Sequence, residues 1–220
     1  MSLKAQLEAF RAEFMGKVPP EIREAMGRAD ANLAASAIIA GAAKAGDFAP
    51  DIRLPGVDGQ PVDLGELLKA GPVVLSFYRG GWCPYCNLQL RALQARSQDF
   101  AALGASLIAV SPQTPDQSLS TSEKNELAFP VLSDAGSRAA KAYGISFDLA
   151  EELRLIYRRF GHGLPEMNGD NSWALPIPAT FVINSDGVIA FAFVDTDYRN
   201  RLEPADIVAV LATLARRRAA

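Results

Sequence analysis

The chain has 220 residues, 49% of them hydrophobic, and its 22 Lys and Arg against 25 Asp and Glu give a net charge of -3. A chain of this length and apolar content can bury one sizeable core without a disulfide, so we expect one principal domain. The mild charge lacks the strongly basic character of proteins that follow nucleic-acid phosphates, and we predict no nucleic-acid partner.

Membrane association is not expected either. No stretch approaches the roughly 18 to 20 consecutive apolar residues of a membrane span. Residues 1–14 carry charges throughout instead of the apolar run of a signal peptide. The sequence therefore predicts a soluble, cytoplasmic protein.

Residues 1–45 are predicted to form an N-terminal helical arm. Its apolar residues recur at spacings of four, three and four: Leu3, Leu7, Phe10 and Phe14. This spacing places one apolar stripe on a first helix, which ends at Pro19, and a second helix is expected over about 21–43. Such a stripe indicates an arm docked on its own domain, and a contact in a homodimer is the alternative.

The predicted domain over residues 46–220 begins with a hairpin and a buried strand. Asp58-Gly59 lies between two short extended runs and is typical of a tight hairpin turn. The apolar run 72–78 predicts a central strand covered on both faces, and 106–111 predicts a second one. Helices between and after these strands imply parallel neighbours.

The rest of the domain is interrupted once. Residues 146–175 are predicted to contain one helix and a glycine-rich loop, and we interpret them as an insertion. A hairpin around "SDG" follows, and Pro204 then begins a final amphipathic helix. The predicted fold class is α/β with a central sheet.

The two cysteines of the chain, Cys83 and Cys86, lie three positions apart directly behind the first central strand. Cys83 should therefore lie at the N-terminus of a helix, where unpaired N–H groups and the helix dipole lower the pKa of a thiol. Cys86, one turn further along, is placed to attack an oxidised Cys83. We predict that Cys83 is the exposed nucleophile and Cys86 the less exposed resolving thiol.

Two other uses of the pair are weaker. A structural zinc site needs four ligands, and the chain adds to its two cysteines a single histidine, His162. We predict no metal and no other cofactor, and we interpret His162 as a surface residue instead of a base for Cys83. A structural disulfide would close too short a loop to restrict the unfolded chain much.

Several neighbours of the pair are candidate supporting residues. Pro84 suits the first turn of the helix, where its missing N–H costs nothing. Trp82 either shields the nucleophile and contacts a partner or simply packs in the core. Gly80 and Gly81 either let a substrate approach the backbone or make the turn.

The motif and the order of elements resemble the thioredoxin fold, and more narrowly the peroxiredoxin-like branch of the alkyl hydroperoxide reductase and thiol-specific antioxidant family. The resemblance runs from about residue 46 to 214. Its carriers are "GDFAPDIRLPGVDGQPVDL", "FYRGGWCPYC", "VSPQTPDQS", "FPVLSDAGSRAAKAYGI" and "PIPATFVINSDGVIAF". It implies a mixed central sheet flanked by helices.

The resemblance also implies a reaction. The Cys83 thiolate would attack the O–O bond of hydrogen peroxide or an organic hydroperoxide and become a sulfenic acid, which Cys86 converts to a disulfide. Thioredoxin or a similar dithiol would then reduce the pair. Pro178 stands where thioredoxin-fold proteins carry a cis-proline packed against the active-site cysteines.

The sequence departs from the peroxiredoxin pattern at the groups that activate the peroxide. Ser76 and Gly80 occupy the places of a Pro and a Thr seven and three residues before the nucleophile. The family's activating Arg has no match over 176–194. Backbone N–H groups must replace these donors, together with Arg79 or Arg158, and Arg79 is otherwise interpreted as an exposed charge at the end of a strand.

Two further functions therefore stay open. "WCPYC" is similar to the centres of thioredoxins and glutaredoxins, so the chain could be a general thiol-disulfide oxidoreductase. A non-enzymatic redox sensor, whose disulfide state changes how the arm or the insertion binds a partner, is the third hypothesis.

Overall fold

The structure is a computed structural model that describes residues 1–219. Its helices are α1 (Leu3–Lys17), α2 (Pro20–Ala35), α3 (Ile38–Gly41), α4 (Leu64–Ala70), α5 (Pro84–Gln94), α6 (Ser97–Ala102), α7 (Pro115–Lys124), α8 (Arg138–Ala142), α9 (Glu151–Arg159), α10 (Leu164–Asn168) and α11 (Pro204–Ala219). Its strands are β1 (Arg53–Pro55), β2 (Pro61–Asp63), β3 (Val73–Phe77), β4 (Ser106–Ser111), β5 (Val131–Ser133), β6 (Ser146–Asp148), β7 (Ala174–Pro176), β8 (Ala179–Ile183) and β9 (Ile189–Val194).

The central sheet has the strand order β5-β4-β3-β8-β9. Strands β3, β4 and β5 are parallel, whereas β8 runs antiparallel to both β3 and β9. Every residue of β3 is buried, as its apolar sequence predicts for a strand in the middle of a covered sheet. The predicted mixed sheet flanked by helices is confirmed.

The alternation of side chains along β3 divides the core into two layers. Val74 packs on one face, in a cluster with apolar residues of α5, α6 and α11. Val73, Leu75 and Phe77 point to the other face and join residues of α4 and α8. Both layers are apolar, so the carboxyl end of β3 is held firmly from both sides.

Some elements differ from the sequence prediction. Helix α2 ends at Ala35 instead of about residue 43, and the short α3 follows it. The predicted helix after the cysteines is two helices, because the Ser97 hydroxyl donates to the carbonyl of Gln94 (2.8 Å) where α5 ends and α6 begins. Strand β5 was not predicted, and it extends the sheet beside β4.

The N-terminal helices and the insertion lie against the same side of the domain. Helix α1 packs on α5 and α2 packs on α9. The Glu203 carboxylate accepts hydrogen bonds from the N–H groups of Lys4 (2.7 Å) and Leu3 (3.3 Å), which fastens the start of α1 to the loop before α11. Strands β6 and β7 pair antiparallel and close the insertion at its base.

Candidate active site

The turn between β3 and α5 carries the cysteine pair. Cys83 is the N-cap residue of α5, and Pro84 is the first residue of the helix, as predicted. The backbone N–H of Cys83 donates to the carbonyl of Gly80 (3.1 Å), and the Cys83 carbonyl accepts from Asn87 (3.1 Å). The nucleophile candidate is therefore fixed by the turn before it and by the first helical hydrogen bond after it.

Glycines 80 and 81 are required by packing. A Cβ at Gly81 would lie 2.2 Å from the Oγ1 of Thr121, and one at Gly80 would lie 2.3 Å from the Nε1 of Trp82. The N–H of Gly81 also donates to the side-chain oxygen of Gln113 (2.7 Å). The packing of this turn therefore leaves no room for a side chain at either position.

Both sulfur-bearing side chains are buried, since Cys83 is 2% exposed and Cys86 is 0% exposed. The predicted exposure of Cys83 is therefore wrong for the reduced protein. Cys83 nevertheless lines a cavity of about 140 Å³, whereas Cys86 does not line it. Only Cys83 of the pair is thus reached from this cavity.

The arm and the insertion supply half of the residues that line this cavity, called here the cysteine cavity. The residues that line it are Phe10, Phe14, Met26, Arg79, Trp82, Cys83, Pro84, Tyr85, Tyr157, Phe160, His162 and Tyr198. Most of them are aromatic, and Phe10 meets the ring of Tyr85 edge to face at 5.0 Å. The cavity is an apolar, aromatic chamber with one guanidinium in its wall.

The surroundings of the reduced pair favour a thiolate on Cys86. Burial alone would raise the pKa of Cys86, but a hydrogen bond from the Cys83 thiol and the positive charges of Arg201 and Arg79 outweigh it and lower the pKa to about 5. Burial, and then the hydrogen bond and charge of Cys86, raise the pKa of Cys83 well above its usual value. The predicted lowering of the Cys83 pKa is wrong here, because the two sulfurs share one proton and the donors face Cys86.

Arg79 is a buried part of this centre. Its side chain is 3% exposed, so the interpretation as an exposed charge at a strand end is wrong. The guanidinium lies over the rings of Tyr198 (4.3 Å), Trp82 (5.1 Å) and Tyr157 (5.7 Å), and its Nη2 donates to the Tyr157 hydroxyl. Among the described residues no carboxylate pairs with it. Its charge is therefore available to a thiolate or to a bound substrate.

Arg201 was not found by the sequence analysis. It lies after β9, beyond residues 176–194 where the family resemblance would place an activating Arg, and it is 8% exposed. Its Nη2 donates to the Sγ of Cys86 (3.6 Å), and its Nε donates to the side-chain oxygen of Gln89 (2.7 Å). Nothing in the local sequence marks this arginine, because its contact depends on the loop between β9 and α11 folding back across α5.

Trp82 and His162 meet at the cavity wall. Their ring centroids are 5.0 Å apart, and the edge of Trp82 also meets Tyr157 at 5.6 Å. His162 is half-buried, so it is less exposed than the interpretation as a surface residue implies. Burial lowers the pKa of His162, and the imidazole is therefore neutral at pH 7. Trp82 both packs against the insertion and lines the cavity beside Cys83.

Two other predicted residues lie apart from the cysteine cavity. Arg158 pairs at the surface with Glu166 (2.9 Å), so it does not supply the missing donor. Pro178 lines a second cavity of about 250 Å³, whose wall includes Arg79. The described residues contain no cis peptide bond, and Pro178 therefore follows a trans bond, unlike the proline that the resemblance implies.

The described part of the chain has neither a cluster of metal-ligand residues nor a membrane-spanning helix. In the described part of the chain, His, Cys, Asp and Glu side chains do not gather in groups of three or more suited to a metal ion. Within residues 1–219, no helix combines the length and the apolar character needed to cross a membrane.

Comparison with known proteins identifies relatives that match most of the chain. Peroxiredoxin Q of wheat, Triticum aestivum, a chloroplastic protein, is 28% identical over 194 residues, which are 88% of this chain and 76% of that protein. The crystal structure of peroxidoxin BcpB from Mycobacterium tuberculosis is 27% identical, with a TM-score of 0.59 over 78% of this chain and 96% of that one. Reduced 2-Cys peroxiredoxin of Plasmodium vivax, 17% identical, shares the fold with a TM-score of 0.62 over 79% of this chain and 83% of its own.

The family described as AhpC/TSA matches residues 45–192. The match begins at the end of the arm and covers the hairpin of β1 and β2, the cysteine turn, the insertion and most of β9. It includes both cysteines and Arg79, whereas Arg201 lies beyond it. On this match, which spans more than half of its length, the chain belongs to the AhpC/TSA family.

Proposed function

We propose that this thiol-dependent peroxidase attacks its peroxide with Cys83 and resolves the product with Cys86. The observation that carries the proposal is the position of the two sulfurs: Cys83 lines the cysteine cavity and Cys86 lies behind it, enclosed by protein. Because only Cys83 of the pair borders the cavity, its sulfur is the one that meets the substrate in this proposal, although the surroundings favour a thiolate on Cys86.

The reaction begins with a proton transfer within the pair. The proton that Cys83 shares with Cys86 moves to Cys86, which leaves a thiolate on Cys83. That thiolate attacks the hydroxyl oxygen of R–O–O–H, the O–O bond breaks, and Cys83 becomes a sulfenic acid while R–O⁻ departs and takes up a proton. The Cys86 thiol then attacks the sulfur of the sulfenic acid and releases water as the disulfide forms.

Two arginines support these steps. Arg79 reaches the cavity wall and is placed to stabilise the negative charge that develops on the peroxide oxygens. Arg201 holds Cys86 and favours a thiolate in the pair. In a buried site such charges act more strongly than in water, because little solvent screens them.

The fate of the disulfide completes the cycle. We propose that thioredoxin or a similar dithiol reduces it, because a Cys-x-x-Cys disulfide is a suitable substrate for exchange with another dithiol.

The cytoplasm is the proposed compartment, supported by a cysteine content limited to the redox pair. A homodimer is the proposed assembly, supported by Phe48 and Leu155, which are 76% and 68% exposed in the single chain.

The proposal is tested by stopped-flow oxidation of the reduced protein with hydrogen peroxide, tert-butyl hydroperoxide and a small disulfide, each followed by tryptophan fluorescence. We expect rapid oxidation by at least one peroxide, and no such oxidation in Cys83→Ser. In Cys86→Ser, a sulfenic acid should persist on Cys83 and be trapped by dimedone as a mass increase. Slow reaction with both peroxides but rapid exchange with the disulfide would instead identify a thiol-disulfide oxidoreductase.

A further inference from the structure

The Arg79–Tyr157 hydrogen bond determines where the hydroxyl proton of Tyr157 can point. A guanidinium has only donors, so the oxygen of Tyr157 must accept the hydrogen bond from Nη2. The O–H of Tyr157 is then free to donate, and among the described residues no acceptor is found for it. A buried hydroxyl with an unused donor is a group that a bound molecule can satisfy.

Tyr157 also borders the cavity into which Cys83 opens. It is 7% exposed, and it lines the cysteine cavity together with Arg79 and Cys83. Its ring is fixed edge to face against Trp82, the residue that precedes the nucleophile. Tyr157 therefore borders the space that a substrate of Cys83 must enter, and it borders the second cavity as well. Burial raises the pKa of Tyr157, so the hydroxyl keeps its proton at neutral pH.

We infer that Tyr157 is a further catalytic residue, whose hydroxyl donates a hydrogen bond to the peroxide while Cys83 attacks it. This inference rests on the proposed function and names the group that replaces the Thr hydroxyl missing at Gly80. The donor comes from the insertion, 78 positions along the chain from Arg79. Arg79 and Tyr157 together form a pair of hydrogen-bond donors for the two peroxide oxygens.

The step needs only the peroxide, the Cys83 thiolate, the Tyr157 hydroxyl and a proton from solvent. The Cys83 thiolate forms a bond to the hydroxyl oxygen of R–O–O–H, and the electron pair of the broken O–O bond stays on R–O⁻. An alkoxide or hydroxide is a much stronger base than a phenolate, so R–O⁻ takes the proton of Tyr157 and leaves as R–O–H. Tyr157 then recovers a proton from solvent. Donors that stabilise charge at the reacting atoms in this way are typically worth about 100-fold or more in rate.

Tyr157→Phe tests the inference, because it removes the hydroxyl and keeps the ring against Trp82. The matched control is Tyr143→Phe, which removes the hydroxyl of a buried tyrosine that donates to the carbonyl of Pro50 (3.1 Å) in the other layer of the core. Three rates are compared for each reduced protein: oxidation by hydrogen peroxide, exchange with a small disulfide and alkylation by iodoacetamide. Thermal unfolding confirms that both variants are folded at the assay temperature.

We expect Tyr157→Phe to slow oxidation by peroxide about 100-fold, while disulfide exchange and alkylation change less than about twofold and the thiolate absorbance titrates at the same pH. Tyr143→Phe should oxidise like the unaltered protein. An unchanged peroxide rate in Tyr157→Phe would overturn the inference. An equal loss in all three reactions, or a displaced thiolate titration, would also overturn it, because Tyr157 would then act through the cysteines. Failure of the proposed function is recognised separately, because the unaltered protein would then itself react slowly with peroxide, before any variant is compared with it.

Discussion

Arg201 donates a hydrogen bond to the sulfur of Cys86 across 3.6 Å, although 115 positions separate the two residues in the chain. The guanidinium is buried, and its other donors are taken up by Gln89 and by backbone carbonyls near it. Cys86 is thus the ionisable group that this buried charge contacts. The ionisation of the cysteine pair therefore depends on a residue that lies outside the cysteine motif.

Replacement of Arg201 should make the thiols less acidic. In Arg201→Met we expect the first ionisation of the pair to need a higher pH by about one unit or more, because a close positive charge lowers a thiol pKa by about that amount. The thiolate absorbance near 240 nm, followed from pH 4 to 9, measures this change. Arg216→Met, which removes an exposed charge on α11, is the control and should titrate like the unaltered protein. Equal titration curves for the two variants would show that Arg201 does not tune the pair.

The lowered pKa of Cys86 predicts how the stability of the reduced protein varies with pH. The charges and the hydrogen bond around Cys86 lower its pKa to about 5 in the folded protein, whereas the pKa in the unfolded chain is near the usual value of about 8.5. Between these values the unfolded state binds more protons, so the free energy of unfolding should rise with pH. The contribution is complete above about pH 8.5 and is lost as the pH falls towards 5.

Urea unfolding of the reduced protein and of Cys86→Ser, at pH 5.5 and pH 7.5, measures this contribution. The difference between the two free energies of unfolding should be larger at pH 7.5, by about 1 to 3 kcal/mol, since one pH unit of pKa change corresponds to about 1.4 kcal/mol. Measurements stay below pH 8 because the raised pKa of Cys83 acts in the opposite direction at higher pH. A difference that is constant or falls with pH would contradict the prediction.

Gly81→Ala should destabilise the protein because the new Cβ would lie 2.2 Å from the Oγ1 of Thr121. We expect a loss of about 2 to 3 kcal/mol in the free energy of unfolding, the usual cost of overpacking a buried site. Gly27→Ala is the matched control, since a Cβ there meets nothing within 4 Å inside α2, and it should be neutral or slightly stabilising. If the two variants were equally stable, the turn would have more room than the structure shows.

The attachment of α1 should depend on Glu203. In Glu203→Gln, the carboxylate that accepts from the N–H groups of Leu3 and Lys4 loses its charge, and we expect about 1 kcal/mol less protection of α1. Hydrogen exchange of the amides in α1 measures the loss, and amides in β3 should be unaffected. Glu8→Gln, an exposed change on α1 itself, is the control. Equal exchange in both variants would show that other contacts hold the arm.

The cysteine turn could be predicted from the sequence because its causes are local. An apolar run gives β3, two glycines give the turn, and Pro84 begins α5 directly after Cys83. The other strands of the central sheet, except β5, were likewise predicted from apolar runs in the sequence. Strand β5 was not predicted because its three residues are too few to show a periodic pattern. Its pairing with β4 is a feature of the tertiary structure.

The surroundings of the cysteines could not be predicted in the same way. Arg79 lies next to the motif, yet its burial depends on Tyr157 and Tyr198, which the insertion and a distant loop bring to it. His162 likewise reaches Trp82 only when α9 packs on the domain. The pKa values of the two cysteines depend on burial and on these distant charges, whereas the sequence prediction considered only the helix N-terminus and the spacing of the cysteines.

The enclosure of both sulfurs separates the kinetics of the two halves of the catalytic cycle. A peroxide of a few atoms fits in a cavity of about 140 Å³, so oxidation of the enzyme should keep accelerating as the peroxide concentration rises. If the reductant is a protein dithiol, as proposed, it is too large to enter this cavity, and re-reduction should level off at the rate at which the arm or the insertion is displaced. At high peroxide concentration the enzyme would then accumulate in its disulfide form, and the mobility of α1, α2 and α9 would limit the steady-state turnover.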